Sequence, residues 1–458
     1  MVGPRVIIIG AGPAGVRCVE TLVAAGIRPT IIDEGRRDGG QIYRRQPDNF
    51  TRPYSTLYGT EAGKAAALHG CFDALRERVD YLPETLVWNI SERVVYALRL
   101  GKLVELPFDA LVLCTGATDR LMPVKGWNFA GTYSLGGAQV ALKSQACAIG
   151  RQTAFIGTGP LLYLVAAQYL KAGAGVAAVL DTSPWSLRLA ALPKLLAMPR
   201  ALANGVALTL ALRRAGVPMY SGVEPLEISG SGADGVNGLS FRDGSGQVRK
   251  LACDAVALGY HLRPETQLAD LARCEFQFDA ATRQWLPRID PDGRSTEHGV
   301  YLAGDGARIL GANAAEASGR LAALAVLQDS GHPVEIDLVD GQRRILARLE
   351  RFAQGLRQSF PWPAHFAANL PDDAVVCRCE AVTAGELRRV IAQTGAVESN
   401  RAKAFSRVGM GRCQGRYCGN AAAEIIAHAA AVPIEQVGRL RGQAPVKPLP
   451  IDIAEDGA

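Results

Sequence analysis

"RVIIIGAGPAGVRCVETLVAAGIRPTIIDEG" (5–35) is the stretch on which the fold turns. A β-branched run at 6–9 gives way to Gly10, Gly12 and Gly15, then to a segment whose apolar residues Val16, Val19, Leu22 and Val23 recur at helical spacing. A second apolar run ends at Asp33. In such a strand, turn and helix, Gly10 permits the tight bend, Gly12 lets the backbone approach a pyrophosphate, and Gly15 lets helix and strand pack closely. Pro13 and Ala14 open the helix, whose first N–H groups are free for phosphate oxygens. Asp33, eighteen residues after Gly15, stands where a carboxylate accepts hydrogen bonds from a ribose, with Glu34 beside it. The stretch reads as a Rossmann-like unit that binds a dinucleotide.

The pattern returns at "QTAFIGTGPLLYLVAAQYLKAGAGVAAVLD" (152–181), with one change. Gly157 and Gly159 are present, but Leu162 takes the place of the third glycine, where a side chain pushes helix and strand apart or fills the gap near the phosphates. Asp181 stands at the ribose position, and no arginine pair marks a 2′-phosphate. Two outcomes stay open: a retained site for a second nucleotide, NAD(P)H included, or a purely structural unit.

The chain has 458 residues, 48% of them hydrophobic, enough for two or three packed domains. Its net charge of +6 is spread without a Lys/Arg-rich tract, so nucleic acid is not an expected partner. The N-terminus enters an apolar strand at once, without the pattern of an export signal, so a cytoplasmic location is expected. The segment 182–223 is apolar, carries five Lys and Arg residues and has no acidic residue. Solvated arginines on packed helices, a subunit interface or a peripheral membrane contact all fit it.

Four of the ten cysteines gather late, Cys377 and Cys379 in "VVCRCEAVT" (375–383), Cys413 and Cys418 in "GRCQGRYCGN" (411–420). In a reducing compartment clustered thiols are metal ligands or redox groups more often than disulfides, and four thiolates suit an iron-sulfur cluster or zinc. Zinc loops favour CxxC, which is not the spacing here. The six histidines make no catalytic or metal spacing, and no catalytic residue is assigned.

"DGGQIY" (38–43), "DALVLCTGA" (109–117) and "HGVYLAGDGA" (298–307), in this order after the first glycine turn, resemble the flavoprotein disulfide reductases and their relatives. That resemblance implies FAD, held through Gly10, Gly12, Pro13, Ala14, Gly15, Asp33, Glu34, Gly40, Gln41, Thr115, Gly116, Gly304 and Asp305, with Gly157, Gly159 and Asp181 left for a second nucleotide. The paired cysteines resemble the bacterioferritin-associated ferredoxin-like domain, which implies a [2Fe-2S] cluster on Cys377, Cys379, Cys413 and Cys418. Together with "IDEGRRDGGQIYRRQP" (32–47), "LYGTEAGKAAALH" (57–69), "TLVWNI" (85–90) and "GTGPLLYLVAAQYL" (157–170), these segments make the whole chain similar to the alpha subunits of bacterial opine (octopine and nopaline) oxidases. It is also similar to subunits of hydrogen cyanide synthase and of D-hydroxyproline or L-proline dehydrogenases.

The resemblance implies a heteromeric complex whose amino-acid-oxidase-like beta subunit, with its own flavin, oxidises an opine or imino acid, a small ferredoxin-like subunit being a further expected partner. A self-sufficient NAD(P)H-dependent reductase and an assembly scaffold with structural cofactors are the alternatives. The expected fold is α/β. Two nested Rossmann-like, three-layer ββα units, 1–150 with 255–335 and 151–254, precede a helical connector (336–371), a small helical iron-sulfur domain (372–440) and a tail (441–458).

Overall fold

A computed structural model of the chain describes residues 3–47 and 51–450. Its first unit is built on a parallel sheet in the order Val300–Leu302, Ala110–Leu113, Val6–Ile9, Thr30–Ile32 and Asp80–Leu82. Alternation along Val6–Ile9 explains its unbroken apolar run. Val6 and Ile8 pack with the helices Pro13–Ala24 and Ala312–Asp329, whereas Ile7 and Ile9 pack with an antiparallel sheet, Thr85–Ser91, Val94–Arg99 and Lys102–Pro107. Each apolar side chain buried there contributes about 2 kcal/mol. The two helices meet almost backbone to backbone, since a Cβ added at Gly319 would lie 2.1 Å from the Ala14 carbonyl oxygen.

The second unit repeats these layers with the parallel order Met219–Ser221, Gly175–Asp181, Gln152–Thr158, Ala255–Tyr260 and Thr132–Ser134. Its antiparallel layer is Glu224–Ser231, Gly235–Arg242 and Val248–Leu251. Here the strand pairing departs from the expected bounds of 151–254: Thr132–Ser134 and Ala255–Tyr260 both belong to this sheet. The chain passes between the units on a two-stranded ribbon, Ala117–Asp119 with Leu262–Pro264. The physical reason is register: Val256 and Leu258 turn into the core shared by the second unit's sheets, so the strand is held there by burial on both faces.

The connector is one long helix, Ile336–Ser359, ended by Phe360 ahead of Pro361 and Pro363. Beyond it a short hairpin, Val375–Cys377 with Val382–Thr383, leads into the helix Ala384–Thr394, whose start is fixed by a reciprocal cap between Thr383 and Glu386. The helices Ser399–Ser406 and Gly419–Ala429 complete a small domain. Its apolar side chains Leu387, Ile391, Ala421 and Ile425 run without a break into the core of the second unit. Within the segment expected to be a tail, Val446 is buried in the core of the first unit. Residues 451–458 lie outside the described residues.

Candidate functional site

The three glycines of the first turn do three different jobs. Gly10 has a φ of +107°, and a Cβ there would sit 2.2 Å from the Cys114 carbonyl oxygen; a Cβ on Gly15 would sit 1.9 Å from that of Gly10. Both close contacts are internal to the fold. Gly12 differs: its φ is −78°, an added Cβ would meet nothing nearer than the Gly40 Cα at 3.6 Å, and no side chain caps the helix Pro13–Ala24 behind it. The turn therefore presents an open cradle with helix N–H groups at its base, the donor set that a pyrophosphate takes. The residues present fit FAD.

Around this cradle the strand ends gather most of the expected residues. Asp33 accepts hydrogen bonds from the N–H groups of Ala11, at 2.5 Å, and Gly35, at 2.6 Å, and burial raises its carboxyl group against their lowering effect. Thr115 and Gly116 lie against Gly306, and Gly304 lies against Ala14. Asp305 takes the N–H groups of Leu310 and Gly311, both at 3.0 Å, and so fixes the turn that starts the helix Ala312–Asp329. Glu34 and Gln41 stand at the exposed rim, where Glu34 pairs with Lys447 and Gln41 accepts from Arg44.

The second turn is furnished differently, and Asp181, the residue at its ribose position, is held inside the protein. Asp181 is fully buried: Oδ1 accepts from the Thr158 hydroxyl at 3.0 Å and the Ser183 N–H at 2.8 Å, Oδ2 from the Tyr163 hydroxyl at 2.7 Å and the Arg188 guanidinium at 2.5 Å. No oxygen is left for a ribose. Leu162, at the third position, is fully buried in the core rather than turned to the cradle. Gly157 packs on Gly259, and Gly159 is covered by His261, whose ring atoms would lie 3.2 Å from an added Cβ. Burial pushes the His261 imidazole down to about 4, so the neutral ring donates from Nε2 to the Phe360 carbonyl at the end of the connector helix. Arg188 stacks over the rings of Phe360 and Trp185. Arg188, Tyr163, His261 and Phe360 were not legible as site residues. The nearest signal was Arg188, seven positions after Asp181.

In the small domain the four thiols fall into two touching pairs. Cys418 donates to Cys377, and Cys379 is in hydrogen-bond contact with Cys413. With that donation, and with the N–H groups of Gly409, Glu380 and Cys379 aimed at it against the effect of burial, Cys377 is held down to about 6. Cys418 begins the helix Gly419–Ala429. Gly411 is required: a Cβ there would lie 2.1 Å from that of Cys379. Among the described residues no three His, Cys, Asp or Glu side chains converge as the ligands of a single ion would. Two thiolate pairs instead suit two irons, each needing two protein ligands.

Known proteins match this layout. The family model described as pyridine nucleotide-disulphide oxidoreductase matches residues 4–325, and the BFD-like [2Fe-2S] binding domain matches 375–428. The alpha (A-type) subunit of opine oxidase from Rhizobium meliloti is 37% identical, with 97% of this chain and 86% of the relative covered. The HcnB component of hydrogen cyanide synthase from Pseudomonas aeruginosa is 30% identical over 97% of each chain. The crystal structure of L-proline dehydrogenase from P. horikoshii aligns over 99% of this chain and 79% of that one, with a TM-score of 0.70 and 19% identity, a likeness of fold.

Proposed function

Because the chain belongs to the pyridine nucleotide-disulphide oxidoreductases and, over nearly its whole length, to the family of opine oxidase alpha subunits, we propose that it passes electrons between FAD and a [2Fe-2S] cluster on behalf of a partner that oxidises the C–N bond of an opine or imino acid. FAD and the cluster together supply the exchange between paired and single electrons. The chain's own residues hold these groups: the cradle at Gly12, with Asp33 at its lip, and the thiolates of Cys377, Cys379, Cys413 and Cys418.

The observation that carries this reading is the occupied carboxylate of Asp181. All its acceptor positions are taken inside the protein, which supports a second unit that does not grip NAD(P)H and a source of reducing equivalents elsewhere. The partner, amino-acid-oxidase-like and carrying its own flavin, is the source we infer, and a small ferredoxin-like protein is a further member of the complex. The partner's contact face is proposed on the helices Ser186–Leu195 and Pro199–Arg214, where Trp185, Leu189, Leu192 and Leu196 are exposed at helical spacing. Among the described residues no helix is long and apolar enough to cross a membrane, and any peripheral membrane contact is assigned to the same face.

Iron, sulfide and flavin assay comes first: about two irons and two labile sulfides per chain are expected. Cys413→Ser should lose them and keep FAD. Zinc in place of iron sinks the cluster assignment. Octopine, nopaline and hydroxyproline should each then be mixed with the chain, with and without its co-expressed partner. Flavin bleaching only in the partner's presence is the expected result, and bleaching of the isolated chain would place the substrate site here instead.

A further inference from the structure

Three residues at the end of the ribbon between the units, Arg263 within it and Glu265 and Gln267 just after it, reach both cofactor loops. On the flavin side, the Glu265 N–H donates to the Gly116 carbonyl at 3.0 Å, and the Thr115 hydroxyl donates to the Glu265 carbonyl at 2.6 Å. On the cluster side, Arg263 donates to the Arg416 carbonyl at 2.9 Å and Gln267 to that of Gln414 at 3.0 Å. Between them lies a shielded ion pair: Arg416 Nε is 2.7 Å from Glu265 Oε2, with side chains 10% and 11% exposed. Arg416 also donates to the carbonyl oxygens of Cys413, at 3.4 Å, and Val446, at 2.7 Å. One residue, Glu265, is thus bonded through its backbone to the loop of Thr115 and Gly116 and through its side chain to the loop of Cys413 and Cys418.

We propose that Glu265 and Arg416 are positioning residues that lock the cysteine loop to the flavin loop and hold a fixed positive charge beside the cluster. The inference rests on the electron-transfer reading above. Burial raises the cost of ionising Glu265, and the Arg416 and Arg263 guanidinium groups outweigh it, holding its carboxyl below the usual range. The pair is therefore charged. Removing Arg416 takes away charge that favours the reduced cluster and leaves Glu265 with Arg263 as its remaining counter-charge. Removing the Glu265 charge leaves the cysteines themselves intact and unties the loop from the flavin side, with Arg416 held only by the Cys413 and Val446 carbonyls. Because the two groups act as one unit, their effects should not add.

The test uses the full-length protein carrying both cofactors. Glu265→Gln, Arg416→Gln, Arg416→Lys and the double Gln variant are first assayed for FAD and iron, then titrated with dithionite while the reduced cluster is followed by electron paramagnetic resonance. Transfer from flash-reduced flavin to the cluster is timed separately. The proposal expects both cofactors at wild-type content, a more negative cluster potential in Arg416→Gln, partial return of the potential in Arg416→Lys, and transfer slowed by about tenfold in both single Gln variants. The double variant should be no slower than the worse single. Should Arg416→Gln fail to hold its cluster, Glu265→Gln decides, since it leaves the cysteine loop untouched. Unchanged potential and transfer rate in a loaded Glu265→Gln protein overturn the proposal, and so does loss of the cluster from that variant, which would make the pair a folding element only. A wild-type protein without iron or FAD would instead overturn the electron-transfer reading itself.

Discussion

The two glycine turns begin from nearly the same sequence and arrive at opposite states. In the first, Gly12 has room for a Cβ, the Gly40 Cα being its nearest neighbour at 3.6 Å, and Asp33 holds the backbone of Ala11 at the lip of a cradle. In the second, Gly159 is covered by His261, Leu162 fills the core, and Asp181 is sealed under Tyr163 and Arg188. What separates them is the supply of partners from far along the chain. A carboxylate at a strand end can serve a ribose only while an acceptor position is free: Asp33 takes one N–H on each oxygen, whereas Asp181 takes two donors on each, one of them an arginine from the next helix. The same layers thus surround a strand-end acid that is open in one unit and enclosed in the other.

Gly12→Val should sharpen this comparison most. The backbone at φ −78° accepts a side chain and the nearest atom to an added Cβ is 3.6 Å away, so the variant should fold, carry no flavin absorbance and melt at the midpoint of the FAD-free wild-type chain. Gly15→Val meets the Gly10 carbonyl at 1.9 Å and should fail to fold, which separates a cradle glycine from a packing glycine. Full flavin occupancy in Gly12→Val would mean that the first turn is not the flavin site.

Asp181→Asn tests the other turn. It leaves the half-buried Arg188 without its counter-charge, at a cost of about 3 kcal/mol, read as a lower denaturant midpoint at unchanged FAD content. A neutral effect on stability would show that the cluster around Asp181 does not hold the second unit closed.

Most of the first unit was legible because its rules are local: glycine positions, a helix start and a strand-end acid lie within thirty-one residues, 5–35. The four cysteines were legible as a set for the same reason, but their pairing across the two segments, Cys377 with Cys418 and Cys379 with Cys413, was not. The closure of the second unit was not, since Phe360 is 179 positions from Asp181 and nothing in its neighbourhood marks it as a plug. Nor was the second sheet's full width, because Thr132–Ser134 is a three-residue strand held by pairing with a distant one. Glu265 and Arg416 each read as an ordinary charged residue until the fold brings them together.

Acid should loosen the second unit. His261 is neutral and buried with its imidazole pushed down to about 4, so the unfolded chain binds a proton more readily than the folded one. Stability present above pH ~6.5 is then lost as the pH falls toward about 4, by at most about 1.4 kcal/mol per pH unit. His261→Gln should flatten that limb of a stability-against-pH curve. The smallest effect is expected from Glu34→Gln, which removes a rim ion pair with Lys447 and should cost less than about 1 kcal/mol while leaving FAD in place. A large loss of flavin there would move the ribose contact from Asp33 to Glu34.

The most direct test of the contrast between the turns is stopped-flow mixing of the FAD-loaded chain with NADH and then with NADPH, following flavin absorbance. The closed second unit predicts no bleaching on the timescale of turnover with either nucleotide; rapid bleaching by either one would contradict it.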